Sequence, residues 1–497
     1  MHYLGFETAL ADREDFSLSG VTFLNVFSEN GAIWLLAGST ATNSISRFSI
    51  NEGAILSASG VYWRSNGAGY GADEALSISV ESETRLMTFD HQHGAVSQLV
   101  IEDAITPGSL LNLLDQEGDP VLLAAMTSFA VENATFLAGA RPDGTGLLVY
   151  RFVENWRVML QIELPDTPKA AVAGTSSIIE IKIGETVFLV SASQTESGLT
   201  SFRFQEDGSV SMTDSIAAED GLWVSGYSQI AHATVDAQEF VVCASPGSST
   251  LSVVRLNPMG VFFVSDIEND TRETRFQNIS ALETFNVGER SFIIAGGSDA
   301  GLSLYELLPG GDLHHHQSLS QTGSWQFGPI ETIRAAVLDA EVQIFVTGTA
   351  RGGIAQFTFS LDRLGVQQTG SSAADSLEGA ALDDVLIGFS GNDRLQGGDG
   401  NDTLFDGTGI DTLEGGHGAD IFVLTGDGQE DTVRQFQKGT DRLDVSDWGM
   451  IYDHTALTFR AHRDGATITY RDEVLHIRTM DSRAISSALW DADDFIF

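Results

Sequence analysis

A chain of 497 residues exceeds one ordinary hydrophobic core, so two or more domains are expected. A formal charge of -43 argues against a nucleic-acid partner, since phosphate binding needs basic surface, and it favours multivalent cations. One cysteine, Cys243, excludes an internal disulfide and a cysteine zinc cluster, and no apolar run is long enough for a transmembrane helix. The acidity is spread along the chain. From residue 370 onward 25 acidic residues face 9 basic ones, and before it 44 face 17.

The opening MHYLGFETALADRED has neither a basic nor an apolar region, which argues against a Sec-type signal peptide. Up to about residue 366 one segment then recurs: an apolar strand, a small pair, a polar turn and an apolar residue opening the next strand. WLLAGSTATNSISRF, FLAGARPDGTGLLVY and IIAGGSDAGLSLY are three copies. The apolar residue after each turn is Ile45, Val96, Leu147, Leu199, Leu251, Leu302 or Ile354, at spacings of 51 or 52 residues. That period holds four short strands and their turns, the size of one propeller blade. Seven units predict a seven-bladed β-propeller, each sheet burying both faces against its neighbours.

LSVVRLNPMGVFF and GLSLYELLPGGDL resemble blades of lactonase-like propellers. The resemblance implies a fold, and one possible activity, a hydrolase with its site in the central channel. Propellers host many unrelated functions, however. The inter-blade loops offer Trp63, Tyr70, Trp223, Tyr227, Trp325 and Phe327. Of these, Trp63, Trp223 and Trp325 are the candidates for a ligand face, because exposed aromatic rings stack on sugars and other flat ligands. Tyr227, Phe276 and Phe327 recur 49 and 51 residues apart, which favours a packing wedge. His314, His315 and His316 read as a solvated outer strand, and His91 and His93 as a polar turn. No nucleophile motif, zinc motif or phosphate loop stands in a credible context, so no catalytic residue is assigned.

Beyond residue 370 the texture changes. Asp375, Asp384, Asp393, Asp402, Asp411 and Asp420 are spaced by nine, each followed two places later by an apolar residue, Leu377 through Phe422. GGDGND at 397–402 and GGHGAD at 415–420 are the fullest copies. The pattern closely resembles the GGxGxDxUx repeat of RTX, or hemolysin-type, calcium-binding proteins, where U is a large apolar residue. The resemblance implies a parallel β-roll with two nonapeptides per coil. Asp375, Asp393 and Asp411 then line one side, and Asp384, Asp402 and Asp420 the other. It also implies Ca²⁺ as cofactor, bound by hard oxygens of the turns. The implied ligand positions are Asp384, Gly391, Asp393, Gly397, Asp399, Gly400, Asp402, Gly409, Asp411, Gly415, His417, Gly418 and Asp420. The early copies GSSAAD and GAALDD lack two glycines, and DGTGID begins with Asp406 instead of the first glycine. About three ions centred on Asp393, Asp402, Asp411 and Asp420 are expected.

The remainder, with GTDRLDVS at 439–446 and DADDFIF at the end, is similar to the segment that follows the roll in serralysin-like RTX proteins. That likeness implies a cap, an uncleaved signal for type I secretion, and the type I apparatus as partner during export. The expected architecture is all-β, with a propeller over 1–369, a roll over 370–425, and a cap with signal over 426–497. The expected function is extracellular calcium binding, with the propeller recognising a carbohydrate, a cell-surface component or another protein. A propeller hydrolase and a structural surface-layer or matrix protein are the alternatives.

Overall fold

A computed structural model describes the chain apart from residues 1–2, 12–17, 30, 40, 43, 65–73, 81–82, 90–95, 102–104, 206–208, 223–224, 272–273, 324 and 351. Two compact units emerge, His2–Phe359 and Ser360–Phe497.

The first unit is a seven-bladed propeller of four-stranded antiparallel sheets. Six blades are built from consecutive strands, as in the sheet Ala281–Val287, Arg290–Gly296, Gly301–Leu307 and Leu313–Ser320. The first strand of each blade lies at the centre, beside the first strands of neighbouring blades. Middle strands are buried along most of their length, and wholly so at Arg290–Gly296 and Gly301–Leu307, because each face packs on the next blade. All seven apolar markers are buried and open the third strand of their blades. Each such side chain contributes about 1.5–3 kcal/mol when fully removed from water.

The seventh blade is assembled from both ends of the unit. Ile330–Val337, Glu341–Gly348 and Ile354–Ser360 are completed by Leu4–Leu10, which pairs antiparallel with the last of them. Gln317 of the sixth blade holds the returning strand: Leu4 N–H donates to its Oε1, and its Nε2 donates to the Leu4 carbonyl, both at 3.0 Å.

This closure corrects the reading of the histidine run as a solvated edge. The His316 side chain is 1% exposed and packs against Tyr3, with ring centroids 5.2 Å apart. His314 meets His316 edge-on at 4.8 Å, and His315 is bonded to the Ser318 hydroxyl at 2.8 Å. His316 Nε2 lies 2.7 Å from Glu306 Oε2. Arg290 donates to both oxygens of the same carboxylate, at 2.6 and 2.7 Å. The strand was outer in its own blade, but its neighbour covers it.

The second unit is a parallel β-roll with a β-rich end. One sheet runs Leu364–Thr369, Asp383–Ile387, Thr403–Phe405, Ile421–Val423, Arg442–Asp444 and Phe495–Ile496. The other begins Ser376–Glu378, Arg394–Asp399, Thr412–His417 and Glu430–Phe436, then continues through an antiparallel meander over Thr458–Thr479. The roll sheets therefore begin ahead of residue 370 and continue past 425. Leu377, Leu386, Leu395, Leu404, Leu413 and Phe422 point inward, followed by Val433 and Leu443, in one core that reaches Phe495.

The fourth residue of a full turn must be glycine. Gly409 has φ +138°, and an added Cβ would stand 1.6 Å from the Gly391 carbonyl oxygen. Backbone of the preceding coil cannot move aside as a side chain could. Gly409→Ala is expected to destabilise the roll by about 2–4 kcal/mol, from left-handed strain plus overpacking. A thermal melt of the calcium-loaded chain checks this, and an unchanged roll transition would contradict it.

Candidate metal centre

The aspartates occupy the last position of each turn, just before a strand, so residues 18 apart stack from coil to coil. Backbone hydrogen bonds trace the stack. Asp375 N–H donates to Asp393 Oδ1 at 2.7 Å, Asp393 to Asp411 at 2.6 Å, and Asp411 to Asp431 at 2.8 Å. On the other side Asp384 donates to Asp402 at 2.9 Å, Asp402 to Asp420 at 3.0 Å, and Asp420 to Asp441 at 3.2 Å. Two ladders result, with the sides divided as expected.

The second carboxylate oxygen separates these residues into two groups. At Asp375 it accepts the Ser371 N–H and hydroxyl, at 2.6 and 2.8 Å. At Asp384 it accepts the Ala380 N–H, and at Asp441 the Gln437 N–H. At Asp393, Asp402, Asp411 and Asp420 it is buried without a hydrogen-bond partner. An unpaired buried carboxylate oxygen is costly, so these four require a counter-charge or a proton.

The first glycine of a turn makes room for that oxygen. A Cβ on Gly397 would lie 2.2 Å from Asp402 Oδ2 and 2.7 Å from the Gly415 carbonyl oxygen. One on Gly415 would lie 2.1 Å from Asp420 Oδ2. Carboxylate and carbonyl oxygens thus converge in a cradle a side chain would fill. Hard oxygen donors of this kind suit Ca²⁺, which takes six to eight of them at roughly 2.3–2.6 Å.

Electrostatics agree. Burial pushes Asp402 up to about 8 from its ordinary 3.8, aided by the charges of Asp420 and Asp384. Burial likewise raises Asp411 and Asp420 to about 6, and Asp431 and Asp441 to about 7. A carboxyl group with a raised folded pKa holds its proton more tightly folded than unfolded. Without a cation that contribution is present below the unfolded value near 4 and is lost as pH climbs through about 6 to 8. In chelator, the folded fraction of the roll is expected to fall between pH 5 and pH 8, toward an unfolded roll at neutral pH. Millimolar calcium should flatten or reverse the trend, because each ion displaces protons. A roll transition independent of pH in chelator would contradict this.

Of the remaining expected positions, Gly391, Gly397, Gly400, Gly409, Gly415 and Gly418 build the turns and their carbonyls. Asp399 and His417 are exposed, outside the ladders, although the His417 carbonyl accepts the Gly400 N–H at 2.9 Å. Asp431 and Asp441 were missed because the gaps after Asp420 lengthen to 11 and 10 residues. Yet the Asp-x-apolar spelling survives in DTV and DRL, at Asp431 to Val433 and Asp441 to Leu443.

On the propeller, Trp325 is 3% exposed and packs edge-on against Phe357 at 4.9 Å, so its ring is spent on packing. Tyr227, Phe276 and Phe327 are buried as well. The Trp63 side chain, Trp223, Tyr70, His91 and His93 lie outside the described residues.

The RTX calcium-binding nonapeptide repeat family matches residues 369–404 and 396–433. This segment is an RTX calcium-binding repeat region. Its match covers the four orphaned oxygens and Asp431, and the residues present fit the cation that the RTX repeat binds. No curated protein matches the chain. Among solved structures, a provisionally assigned 6-phosphogluconolactonase from Bacteroides uniformis is 12% identical, covering 63% of this chain and 88% of that one, with a TM-score of 0.45. A protein from Lactobacillus plantarum is also 12% identical, covering 63% and 94%, with a TM-score of 0.43. Likeness at this level carries no argument about activity. Among the described residues no helix is long and apolar enough to cross a membrane, which says nothing of a β-barrel.

Proposed function

We propose that this chain is a secreted calcium-binding RTX protein, exported through a type I apparatus, whose propeller is an extracellular binding module. The observation that carries the reading is the set of four buried, unpartnered carboxylate oxygens on Asp393, Asp402, Asp411 and Asp420. These residues would hold calcium, and the ion would supply the counter-charge that lets the coils stack. At low intracellular calcium the carboxylates repel and the roll stays unfolded, a state suited to threading through an exporter. Extracellular calcium then folds it by mass action.

The centre of the propeller supports recognition of a polar ligand. Its first strands present half-buried polar side chains, among them Asn25, Ser77, Gln229, His232, Glu283 and Arg334. Several bridge neighbouring blades, as Ser77 does to Asn25 at 2.8 Å and Arg334 to Glu283 at 3.3 Å. Their chemistry matches a carbohydrate or polar cell-surface group better than an apolar one.

The test presents the calcium-loaded full chain to a glycan array and, in parallel, to lactones, esters and glycosides. Saturable binding without turnover is expected. Turnover would replace this reading with the hydrolase, and assembly into ordered layers would replace it with the matrix protein. Export is tested by co-expression with a type I exporter, where a chain retained in the cells would overturn that part.

A further inference from the structure

The turn over residues 406–411 departs from its neighbours at the first position, where Asp406 replaces the glycine found at 397 and 415. A spelling fault at that point would be expected to cost a cation site, because the glycine normally leaves space for the carboxylate five residues along the turn. The arrangement around it has another character.

Asp406 is 1% exposed. Its Oδ1 accepts two backbone N–H groups, from Gly407 at 2.6 Å and from Thr425 in the next coil at 2.9 Å. These bonds hold the carboxylate in one orientation, and its Oδ2 is buried with no hydrogen-bond partner. One carboxylate oxygen each from Asp406, Asp411 and Asp431 lie within 4.8 Å of one another. All three residues are buried. Oxygens bound to a single Ca²⁺ at about 2.3–2.6 Å stand at most roughly 5 Å apart, so the spacing admits one shared ion. Neighbouring Asp427 is engaged elsewhere, accepting the N–H of Gly409 through one oxygen at 2.7 Å and of Gln429 through the other at 2.9 Å.

We propose that Asp406, Asp411 and Asp431 form a three-carboxylate calcium site at the end of one ladder, and that it is the tightest cation site of the roll. The inference rests on the calcium-roll reading above and adds an unequal filling order to it. Between standard turns an ion meets two ladder carboxylates, whereas here it meets three. Calcium affinity in oxygen sites rises with ligand charge count. The site therefore loads first and fastens the 406–411 turn to the longer turn that ends in Asp431. Three negative charges also balance a trivalent ion better than a divalent one, so a lanthanide should be retained here preferentially.

The test is calorimetric titration of the full chain with calcium chloride, in the wild type, in Asp406→Gly and in Asp406→Asn. Asp406→Gly restores the repeat spelling and therefore keeps the turn foldable. The expected result is one high-affinity equivalent in the wild type, weakened about tenfold or more in both variants while the weaker equivalents persist. Terbium chloride should show the same single high-affinity equivalent and the same loss. Calcium binding with an unaltered tight class in both variants would overturn this inference and leave the calcium roll standing. No calcium binding by the wild type would overturn both.

Discussion

Replacing Asp402 and Asp411 together by asparagine is expected to weaken calcium binding by about tenfold or more at the affected sites and to raise the calcium needed to fold the roll. The two residues sit on opposite ladders, so the double change strikes both sides. Each has one oxygen occupied, accepting the backbone N–H of Asp384 or Asp393, and a second oxygen buried without a partner. Asparagine keeps the acceptor and removes the charge. It isolates the electrostatic contribution from the stacking bond, which alanine would not. In chelator the same variant should be no less stable than the wild type near neutral pH, since burial no longer has to be met by a charged group. An unchanged calcium titration would contradict the ladder as the ion site.

Arg290→Met in the sixth blade should destabilise the propeller by about 3–5 kcal/mol, the usual consequence of removing one partner of a buried ion pair. Burial works against an ionised Glu306, yet the Arg290 charge and then the His316 hydrogen bond hold it down to about 2 from 4.5. The stability it contributes is therefore present above the unfolded value and is lost as pH falls from about 4.5 toward 2. Its neighbours tie it to the closing blade: Tyr3 packs on His316, and Phe359 packs on Phe292, the ring over which the Arg290 guanidinium lies. Its loss should lower the propeller transition in a melt while leaving the calcium titration of the roll as it was. A propeller transition within about 0.5 kcal/mol of wild type would show that the pair contributes little.

The repeats made much of this fold legible. A blade needs one apolar residue at the start of its third strand, and the recurrence from Ile45 to Ile354 recorded that need seven times. The roll needs an aspartate and an inward apolar residue per turn, and six registers recorded it from Asp375 to Phe422. What escaped was set by contacts distant in sequence. Leu4–Leu10 joins the last blade through pairing with Ile354–Ser360, which no 51-residue period announces. His316 reads as an edge residue until that strand covers it. Trp325 has the character of a ligand-stacking ring and is instead wedged against Phe357. Asp431 and Asp441 join the ladders although their turns are longer, because the stack is fixed by parallel strand pairing at Val433 and Leu443, whatever the turn length. Asp406 breaks the repeat spelling, and only its orientation toward Asp411 and Asp431 gives it a chemical meaning.

The roll is expected to fold only with calcium, and the propeller without it. Hydrogen–deuterium exchange on the full chain, with millimolar calcium and then with chelator at neutral pH, tests it directly. Amides of residues 364–444 are expected to lose protection in chelator, while the middle strands of the blades, such as Arg290–Gly296 and Gly301–Leu307, keep theirs. Equal protection of the roll in both conditions would contradict it.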